Sequence, residues 1–230
     1  MTPTPELSGA EVCVIIPAAG SGTRLGEPVP KAFVDVGGRT ILERCVDNIP
    51  ASLGATVVVV VPADLVERAS ALLTGVRVVA GGAHRSDSVR AGIAAAGHAG
   101  ILLVHDAARP LTPARVFTDV VAAIRAGHQA VVPAVPVVDT LKQVEPGPAG
   151  LERVTRTVDR EELRAVQTPQ GFARDALLRA HADDAGIATD DAGLVERCGI
   201  DVHLVPGDPL AMKITTPWDL RIVRDMVGGR

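Results

Sequence analysis

A loop of small residues followed by a lysine is the part of this sequence best suited to chemistry. It runs from Pro17 to Gly26 as PAAGSGTRLG, and Pro30 and Lys31 follow it. Small residues after a strand allow backbone N–H groups to close around an anion, and Arg24 and Lys31 add positive charge. Because only three of the 23 basic residues are lysines, a lysine here indicates a need for a compact ammonium. The pattern favours a phosphate-binding loop.

The loop matches neither common nucleotide-binding fingerprint. Gly20, Gly22 and Gly26 form GxGxxxG, one residue longer than the dinucleotide motif, and no GK[ST] follows as in a P-loop. A tight turn from strand to helix explains such glycines equally well. The interpretation therefore depends on the other motifs.

A second pair of glycines precedes a polar segment. It runs from Gly81 to Arg90 as GGAHRSDSVR, after an apolar strand candidate. A strand that leads into a helix N-terminus presents N–H groups suited to a phosphate or a base edge. An ordinary turn with Ser86 or Ser88 as the helix cap explains the same residues.

Two further segments add charged side chains. Asp106 and Arg109 lie in HDAARP after an apolar strand candidate, where a carboxylate could hold a divalent metal bridging triphosphate oxygens and a guanidinium could hold an anion. A structural Asp–Arg pair is the alternative. Lys213 lies in MKITTP near the end of the chain, and the scarcity of lysine favours a functional role for it. Lys142 is interpreted as a surface residue.

Apolar runs alternate with helical patterns, and these elements must position the motifs. Strands are predicted at 12–17, 56–61, 76–80, 101–105, 130–134 and 202–205, and helices at 40–48, 65–73, 86–96, 113–125 and through 218–226. Uniformly apolar strands are typical of a sheet covered on both faces. The alternation predicts an α/β fold, a Rossmann-like and mostly parallel sheet with helices on both faces, with ligands beyond the carboxyl ends of its strands.

Three threonines mark predicted helix starts. Thr40 and Glu43 match a capping box. Thr112 and Thr216 each precede a proline, a pattern that predicts a cap followed by proline at the first helical position.

Composition excludes several classes of function. The formal net charge of -4 argues against a nucleic-acid partner, and 2% aromatic residues argue against base-stacking platforms. The longest apolar run, 57–61, is too short to cross a membrane, and residues 1–11 do not resemble a secretion signal. The three cysteines lack CxxC spacing, and Cys13 and Cys45 read as core residues, which fits a cytoplasmic protein.

Residues 139–159 interrupt the alternation. Two polar strands, 140–144 and 153–158, flank the turn-rich segment EPGPAG. Because an isolated hairpin is marginal in water, we expect it to pack on a second copy of the chain.

The motifs together resemble those of the 2-C-methyl-D-erythritol 4-phosphate cytidylyltransferases of the non-mevalonate isoprenoid pathway, from residue 12 to about residue 226. The matching strings are PAAGxGxR at 17–24, PK at 30–31, GGxxRxxSV at 81–89, HDAARP at 105–110, DTxK at 139–142, TVDR at 157–160, TPQ at 168–170, TDD at 189–191 and KIT at 213–215. Ala83 departs from the family, which often has a polar or acidic residue there.

The resemblance implies an enzyme that joins CTP to 2-C-methyl-D-erythritol 4-phosphate, releases pyrophosphate and requires Mg²⁺. It implies one nucleotidyltransferase domain, residues 1–230, and a homodimer in which the arm 139–160 completes the partner's site. The resemblance implies that Arg24 and Lys31 stabilise the transition state, that Lys213 and Arg160 bind the incoming phosphate, and that Asp106 binds the metal. The residues implied to bind CTP are Ala18, Ala19, Gly20, Gly22, Gly81, Gly82, Ser88 and Ala107. Those implied to bind the alcohol are Arg109, Thr140, Thr168 and Thr189.

Two other readings stay open at this point. A cytidylyltransferase for another polyol phosphate, such as ribitol 5-phosphate, would carry the same nucleotide motifs. A nucleotide-binding module without turnover would keep the glycine loops but would not need Lys31, Asp106 and Lys213 together.

Overall fold

The computed structural model describes residue 7 and residues 11–20, 25–182 and 190–229. The strands are β1 (Val12–Pro17), β2 (Thr56–Val61), β3 (Arg77–Ala80), β4 (Ile101–Val104), β5 (Ala130–Pro136), β6 (Lys142–Pro146), β7 (Glu152–Thr157), β8 (Arg164–Val166), β9 (Gln170–Ala173) and β10 (Val202–Pro206). The α-helices are α1 (Ile41–Asp47), α2 (Val66–Leu72), α3 (Arg85–Ala95), α4 (Ala114–Arg125), α5 (Arg174–Ala182), α6 (Asp191–Arg197) and α7 (Pro217–Gly228).

The apolar runs form the main sheet, in the order β10-β5-β9-β4-β1-β2-β3, with β8 paired to β5. The pairs β1–β2, β1–β4, β2–β3 and β5–β10 are parallel, whereas β9 runs antiparallel to both β4 and β5. The predicted α/β fold with a mostly parallel sheet is therefore confirmed. The carboxyl ends of β1, β3 and β4 share one edge, which positions the loops of three predicted motifs together.

Helices cover both faces of this sheet, because alternate residues of each strand point to opposite sides. From β1, Val14 and Ile16 pack with α1, α2 and α4, while Cys13 and Ile15 pack with α3, α5 and α6. A third apolar cluster joins α7 to the segment around Val34. The core positions predicted for Cys13 and Cys45 are confirmed, since neither has exposed surface.

The region between the hairpin and β10 holds elements that the sequence patterns missed, namely β8, β9, α5 and α6. Strand β9 reads QGFA, which is short and contains a glycine. A Cβ on Gly171 would lie 2.3 Å from Val120 Cγ1 of α4, so this strand lacks a side chain where the helix packs against it.

Two of the three predicted helix starts are confirmed. Thr40 and Thr216 cap α1 and α7, each through a capping box. The prediction for Thr112 is wrong, because Pro113 occupies the N-cap position of α4 and the Thr112 hydroxyl donates instead to the carbonyl of Arg109 (3.0 Å). Helix α3 begins after His84, whose N–H donates to Asp87 (2.9 Å), so neither Ser86 nor Ser88 is its cap.

Strands β6 and β7 form an antiparallel hairpin that is separate from the main sheet. All residues of both strands are exposed, and Lys142 lies on the surface as predicted, donating to the Thr157 hydroxyl (2.6 Å). Within the ranges given above, no helix has the length and apolar character needed to span a membrane.

Candidate active site

The loops at the carboxyl edge of the sheet surround a cavity of about 220 Å³. Its walls come from the segment after β1, the turn between β3 and α3, the segment after β4, and two lysines from other parts of the chain. The lining residues are Pro17, Ala18, Ala19, Gly20, Lys31, Ala32, Ile41, Gly82, Ala83, His84, Arg85, Ser88, Asp106, Ala107, Ala108 and Lys213. The fold thus brings residues of all four motifs into one cavity.

Two hydrogen bonds connect the described ends of the first motif to other parts of the chain. The N–H of Ala18 donates to the carbonyl of Val60 in β2 (2.7 Å), which continues the pairing of β1 beyond its end. Lys31 begins a short 3-10 helix (Lys31–Phe33), and its ammonium donates to the carbonyl of Ile214. The two lysine-containing motifs are therefore joined directly, although they lie far apart in the sequence.

Asp106 is surrounded by positive charge. Its carboxylate lies 2.8 Å from the Lys213 ammonium, 3.7 Å from Arg109 and 3.9 Å from Arg85. Burial would raise the pKa of Asp106, but the cations, with Lys213 first, outweigh burial and hold the pKa below its ordinary value. The carboxylate is therefore ionised at neutral pH.

Two buried side chains support Asp106 from behind. Its backbone N–H donates to the Thr168 hydroxyl (3.0 Å), which also contacts His105 Nδ1 (3.0 Å). Burial lowers the pKa of His105 to about 4, so its imidazole is neutral at neutral pH. Thr168 thus fixes the position of the Asp106 backbone, and the alcohol contact implied for it stays a prediction.

The turn before α3 approaches the cavity closely. A Cβ on Gly81 would lie 2.6 Å from Ser88 Oγ and 3.0 Å from Val60 Cγ1, so glycine allows the chain to pass these side chains without displacing them. Gly81 itself is not among the residues that line the cavity, and its N–H donates to the carbonyl of Val61 (2.8 Å). Gly82 and Ser88 line the cavity.

Other predicted residues lie apart from this cavity within one chain. Thr140 and Arg160 line a separate cavity of about 320 Å³ at the base of the hairpin. Arg109 does not line the main cavity, since its guanidinium reaches past Asp106 to the carbonyl of Ala211 (2.5 Å). Gly22, Arg24 and Thr189 lie outside the described residues.

A second charged network, to which the sequence motifs gave no role, extends from Arg85 at the cavity wall. Arg85 forms an ion pair with Asp191 (2.7 Å), and Asp191 contacts His181 Nε2 (3.0 Å). The adjacent Asp190 accepts from the Gln170 amide (2.7 Å). The sequence signal for these residues is that Arg85, Gln170, Asp190 and Asp191 each belong to one of the strings that match the family, namely GGxxRxxSV, TPQ and TDD.

A mostly parallel sheet whose carboxyl edge carries a small-residue loop, an ionised carboxylate and two lysines defines a protein of the nucleotide-handling α/β class. Comparison with known proteins identifies the family. Residues 12–228 match the family model described as "IspD: 2-C-methyl-D-erythritol 4-phosphate cytidylyltransferase". The chain therefore belongs to the 2-C-methyl-D-erythritol 4-phosphate cytidylyltransferase family.

Individual relatives agree over nearly the whole chain. The protein of that name from Nocardia farcinica is 56% identical, over 95% of this chain and 95% of its own. The Rhodococcus opacus protein is also 56% identical, over 94% of this chain and 95% of its own. The crystal structure of the Thermus thermophilus protein of that name superimposes with a TM-score of 0.77 at 38% identity, covering 95% of this chain and 99% of the other. A synthase structure from Anaerococcus prevotii gives 0.81 at 27% identity, covering 96% and 99%.

The protein is a nucleotidyltransferase of isoprenoid biosynthesis, and its reaction joins CTP to 2-C-methyl-D-erythritol 4-phosphate. These matches favour that reaction over the two alternatives that the motifs left open. Enzymes of this class generally use a divalent metal.

Proposed function

We propose that the cavity at the carboxyl edge of the sheet is where CTP and the phospho-alcohol react. The observation that carries this proposal is the convergence of Lys31, Asp106 and Lys213 with the first glycine loop and the β3–α3 turn around a single cavity. A module that only bound a nucleotide would have no need for two lysines and an ionised carboxylate in one place.

The chemistry is an in-line displacement at phosphorus. An oxygen of the alcohol's phosphate forms a bond to the α-phosphorus of CTP, and the bond to the bridging oxygen breaks as pyrophosphate leaves with the electron pair. A phosphate monoester has a second pKa of about 6, so the nucleophile is largely dianionic at neutral pH. No general base is required, and the work of the protein is to bring two polyanions together and stabilise the charge of the transition state.

The residues predicted from the motifs have the following roles in that reaction. Lys31, with Arg24, stabilises the five-coordinate transition state, and Lys213 holds the incoming phosphate. The backbone of Ala18, Ala19, Gly81 and Gly82 reads cytosine together with Ser88, while Gly20 and Gly22 contact the triphosphate and Ala107 the ribose. Because Ala83 presents only a methyl group to the cavity, base recognition there rests on backbone groups and on Ser88.

The carboxylate of Asp106 fits a Mg²⁺ ion that is bound together with a nucleotide. Asp106 is ionised and lines the cavity, whereas the described residues contain no cluster of three or more carboxylate, histidine or cysteine groups arranged to hold a metal ion. Mg²⁺ commonly binds through one or two carboxylates plus substrate phosphates, so a single carboxylate is sufficient. Asp106 would hold the ion, whose chemistry there is to neutralise phosphate charge.

The hairpin completes the site in a homodimer. Support comes from the exposure of Leu151 (71%) and Val154 (52%) on this arm, because exposed apolar side chains on a two-stranded hairpin need a covering surface. Within one chain Arg160 and Thr140 lie at a separate cavity. In the dimer the arm 139–160 brings the partner's Arg160 to the incoming phosphate, and Thr140, Thr168, Thr189 and Arg109 contact the alcohol.

The remaining proposals concern organisation and location. Residues 1–230 form one nucleotidyltransferase domain with the arm as its dimerisation element. The protein works in the cytoplasm, which is supported by its three free thiols, Cys13, Cys45 and Cys198, since free thiols suit a reducing compartment.

The test is pyrophosphate release from a substrate panel. The purified protein is assayed with CTP, UTP and ATP, each with 2-C-methyl-D-erythritol 4-phosphate or ribitol 5-phosphate, in the presence and absence of Mg²⁺. Rapid release is expected only for CTP with the first alcohol and Mg²⁺. Faster release with ribitol 5-phosphate, or CTP binding without release in any combination, would overturn the proposal.

A further inference from the structure

A buried carboxylate from α6 is linked to the cavity through an arginine. Asp191 is completely buried, and its two oxygens contact different partners, His181 Nε2 at 3.0 Å and an Arg85 nitrogen at 2.7 Å. Burial would raise the pKa of Asp191, but these two contacts outweigh burial and lower the pKa. The carboxylate is therefore a fixed negative charge, and Arg85 is the cation that compensates it.

Arg85 lies between two carboxylates and is shared unequally. The same guanidinium nitrogen lies 2.7 Å from Asp191 but 3.9 Å from Asp106. The Arg85 side chain lines the cavity and retains 36% of its exposure, so it is available to a ligand. Because a guanidinium is a planar fork of donors, a close pair on one side determines where its remaining N–H groups point.

The unequal sharing matters for Asp106. Its close ion pair is with Lys213 at 2.8 Å, while Arg85 and Arg109 are 3.9 and 3.7 Å away. If nothing held Arg85, its guanidinium would be free to close the remaining distance to Asp106 and form a second tight pair. A carboxylate paired tightly to two cations is a poor ligand for a divalent metal, because the metal must displace both.

We propose that Asp191 is a positioning residue for the nucleotide site. It holds Arg85 at the cavity wall and away from close pairing with Asp106, so that Arg85 faces the triphosphate and Asp106 stays available to the metal that accompanies it. The inference rests on the function proposed above. His181 secures the second oxygen of Asp191 and so keeps the first one directed at Arg85.

The variant that tests this is Asp191→Asn, which keeps the shape of the side chain and removes its charge. Binding of Mn²⁺ together with CTP is measured directly, from the electron paramagnetic resonance signal of free Mn²⁺, without reference to turnover. The apparent affinity is expected to fall roughly tenfold or more, which is the scale for losing a group that orients a metal ligand. At saturating Mn²⁺ and CTP, kcat is expected to fall much less than affinity.

A second pair of variants shows whether the effect passes through Arg85. Arg85→Gln removes the competing cation, so Arg85→Gln and the double variant Arg85→Gln/Asp191→Asn are expected to bind Mn²⁺ with CTP equally, within about twofold. The double variant leaves neither charge of the pair unpaired, so the comparison remains possible if Asp191→Asn alone does not fold.

Three results would overturn the inference. The first is wild-type affinity for Mn²⁺ with CTP in a folded Asp191→Asn variant. The second is an equal loss of that affinity when Asp191→Asn is added to the wild type and to Arg85→Gln. The third is a lower melting temperature and a lower kcat in Asp191→Asn, with unchanged affinity for Mn²⁺ and CTP. The last would assign Asp191 a purely structural role. Failure of the proposed function is recognised separately, because the wild-type protein would then release pyrophosphate faster with ribitol 5-phosphate or would release none with either alcohol of the panel.

Discussion

Replacing Lys31 with alanine removes the ammonium that follows the first glycine loop. The side chain lines the cavity, is partly buried, and donates to the carbonyl of Ile214. That contact holds the ammonium at the cavity wall before any ligand arrives. Its contribution to the reaction therefore needs little reorganisation, which is the condition under which one charged donor has a large effect on a transition state.

The size of the effect follows from this geometry. Removing one preorganised donor lowers kcat about 100-fold or more, which corresponds to ~2.7 kcal/mol of transition-state stabilisation. The cost to folding is smaller, because a hydrogen bond such as the one to Ile214 is worth about 1 kcal/mol net. Lys31→Ala is therefore expected to lose activity while remaining folded.

The assay is pyrophosphate release at saturating CTP and alcohol, with a melting temperature for each variant. Arg77→Ala is a matched control. Arg77 is also a cation that donates to a backbone carbonyl, that of Ala95 at 2.6 Å, but it lies at the start of β3, at the opposite edge of the sheet from the cavity. The control is expected to keep kcat within about twofold, because it removes an equivalent hydrogen bond without touching the cavity. A loss below threefold for Lys31→Ala, with its stability intact, would exclude Lys31 from the mechanism.

Three further predictions concern the arm, a buried histidine and a helix contact. Arg160→Ala is expected mainly to raise KM for the phospho-alcohol. An equimolar mixture with Lys213→Ala should recover about a quarter of wild-type activity after subunit exchange, since half the dimers would be mixed and each mixed dimer would hold one intact site of two. No recovery despite proven exchange would contradict a shared site. The pKa of His105 is lowered to about 4 from its ordinary 6.5, so protonation of its imidazole disfavours folding as the pH falls from 6.5 towards 4. The free energy of unfolding, measured with urea, should therefore be up to about 3 kcal/mol lower at pH 4.5 than at pH 7.5, and His105→Gln should reduce this difference. An equal difference in the variant would refute the prediction. Gly171→Ala places a methyl 2.3 Å from a side chain of α4 and should lower the free energy of unfolding by about 1–3 kcal/mol. Gly228→Ala is the control and should be close to neutral, because nothing lies within 4 Å of the added methyl. Equal melting temperatures for the two variants would show that the contact at Gly171 relaxes freely.

The sequence could predict the elements whose signals are local. β1 and β2 are apolar except for Thr56 at the exposed start of β2, and both have the predicted bounds, because strands buried on both faces need few polar positions. Thr40 and Glu43 form the predicted capping box, since all its partners lie within one turn. The strand–helix alternation determined the parallel arrangement and hence the edge at which the cavity lies.

Elements that depend on a neighbour were not predictable in this way. β9 is defined by pairing antiparallel between β4 and β5 and by its contact with α4, and neither partner is visible in the string QGFA. Pro113 rather than Thr112 occupies the N-cap position of α4, and the Thr112 hydroxyl donates to the Arg109 carbonyl in the preceding turn.

The same division applies to the site. Residue types and positions alone identified Lys31, Asp106 and Lys213 as candidates, because lysine is rare in this chain and because Asp106 follows the carboxyl end of a predicted strand, where ligands of such sheets bind. Their distances, and the linkage of Asp106 through Arg85 to the buried Asp191, were decided by tertiary structure alone. The physical reason is that an ion pair depends on separation in space, whereas sequence patterns report only the spacing of residues along the chain.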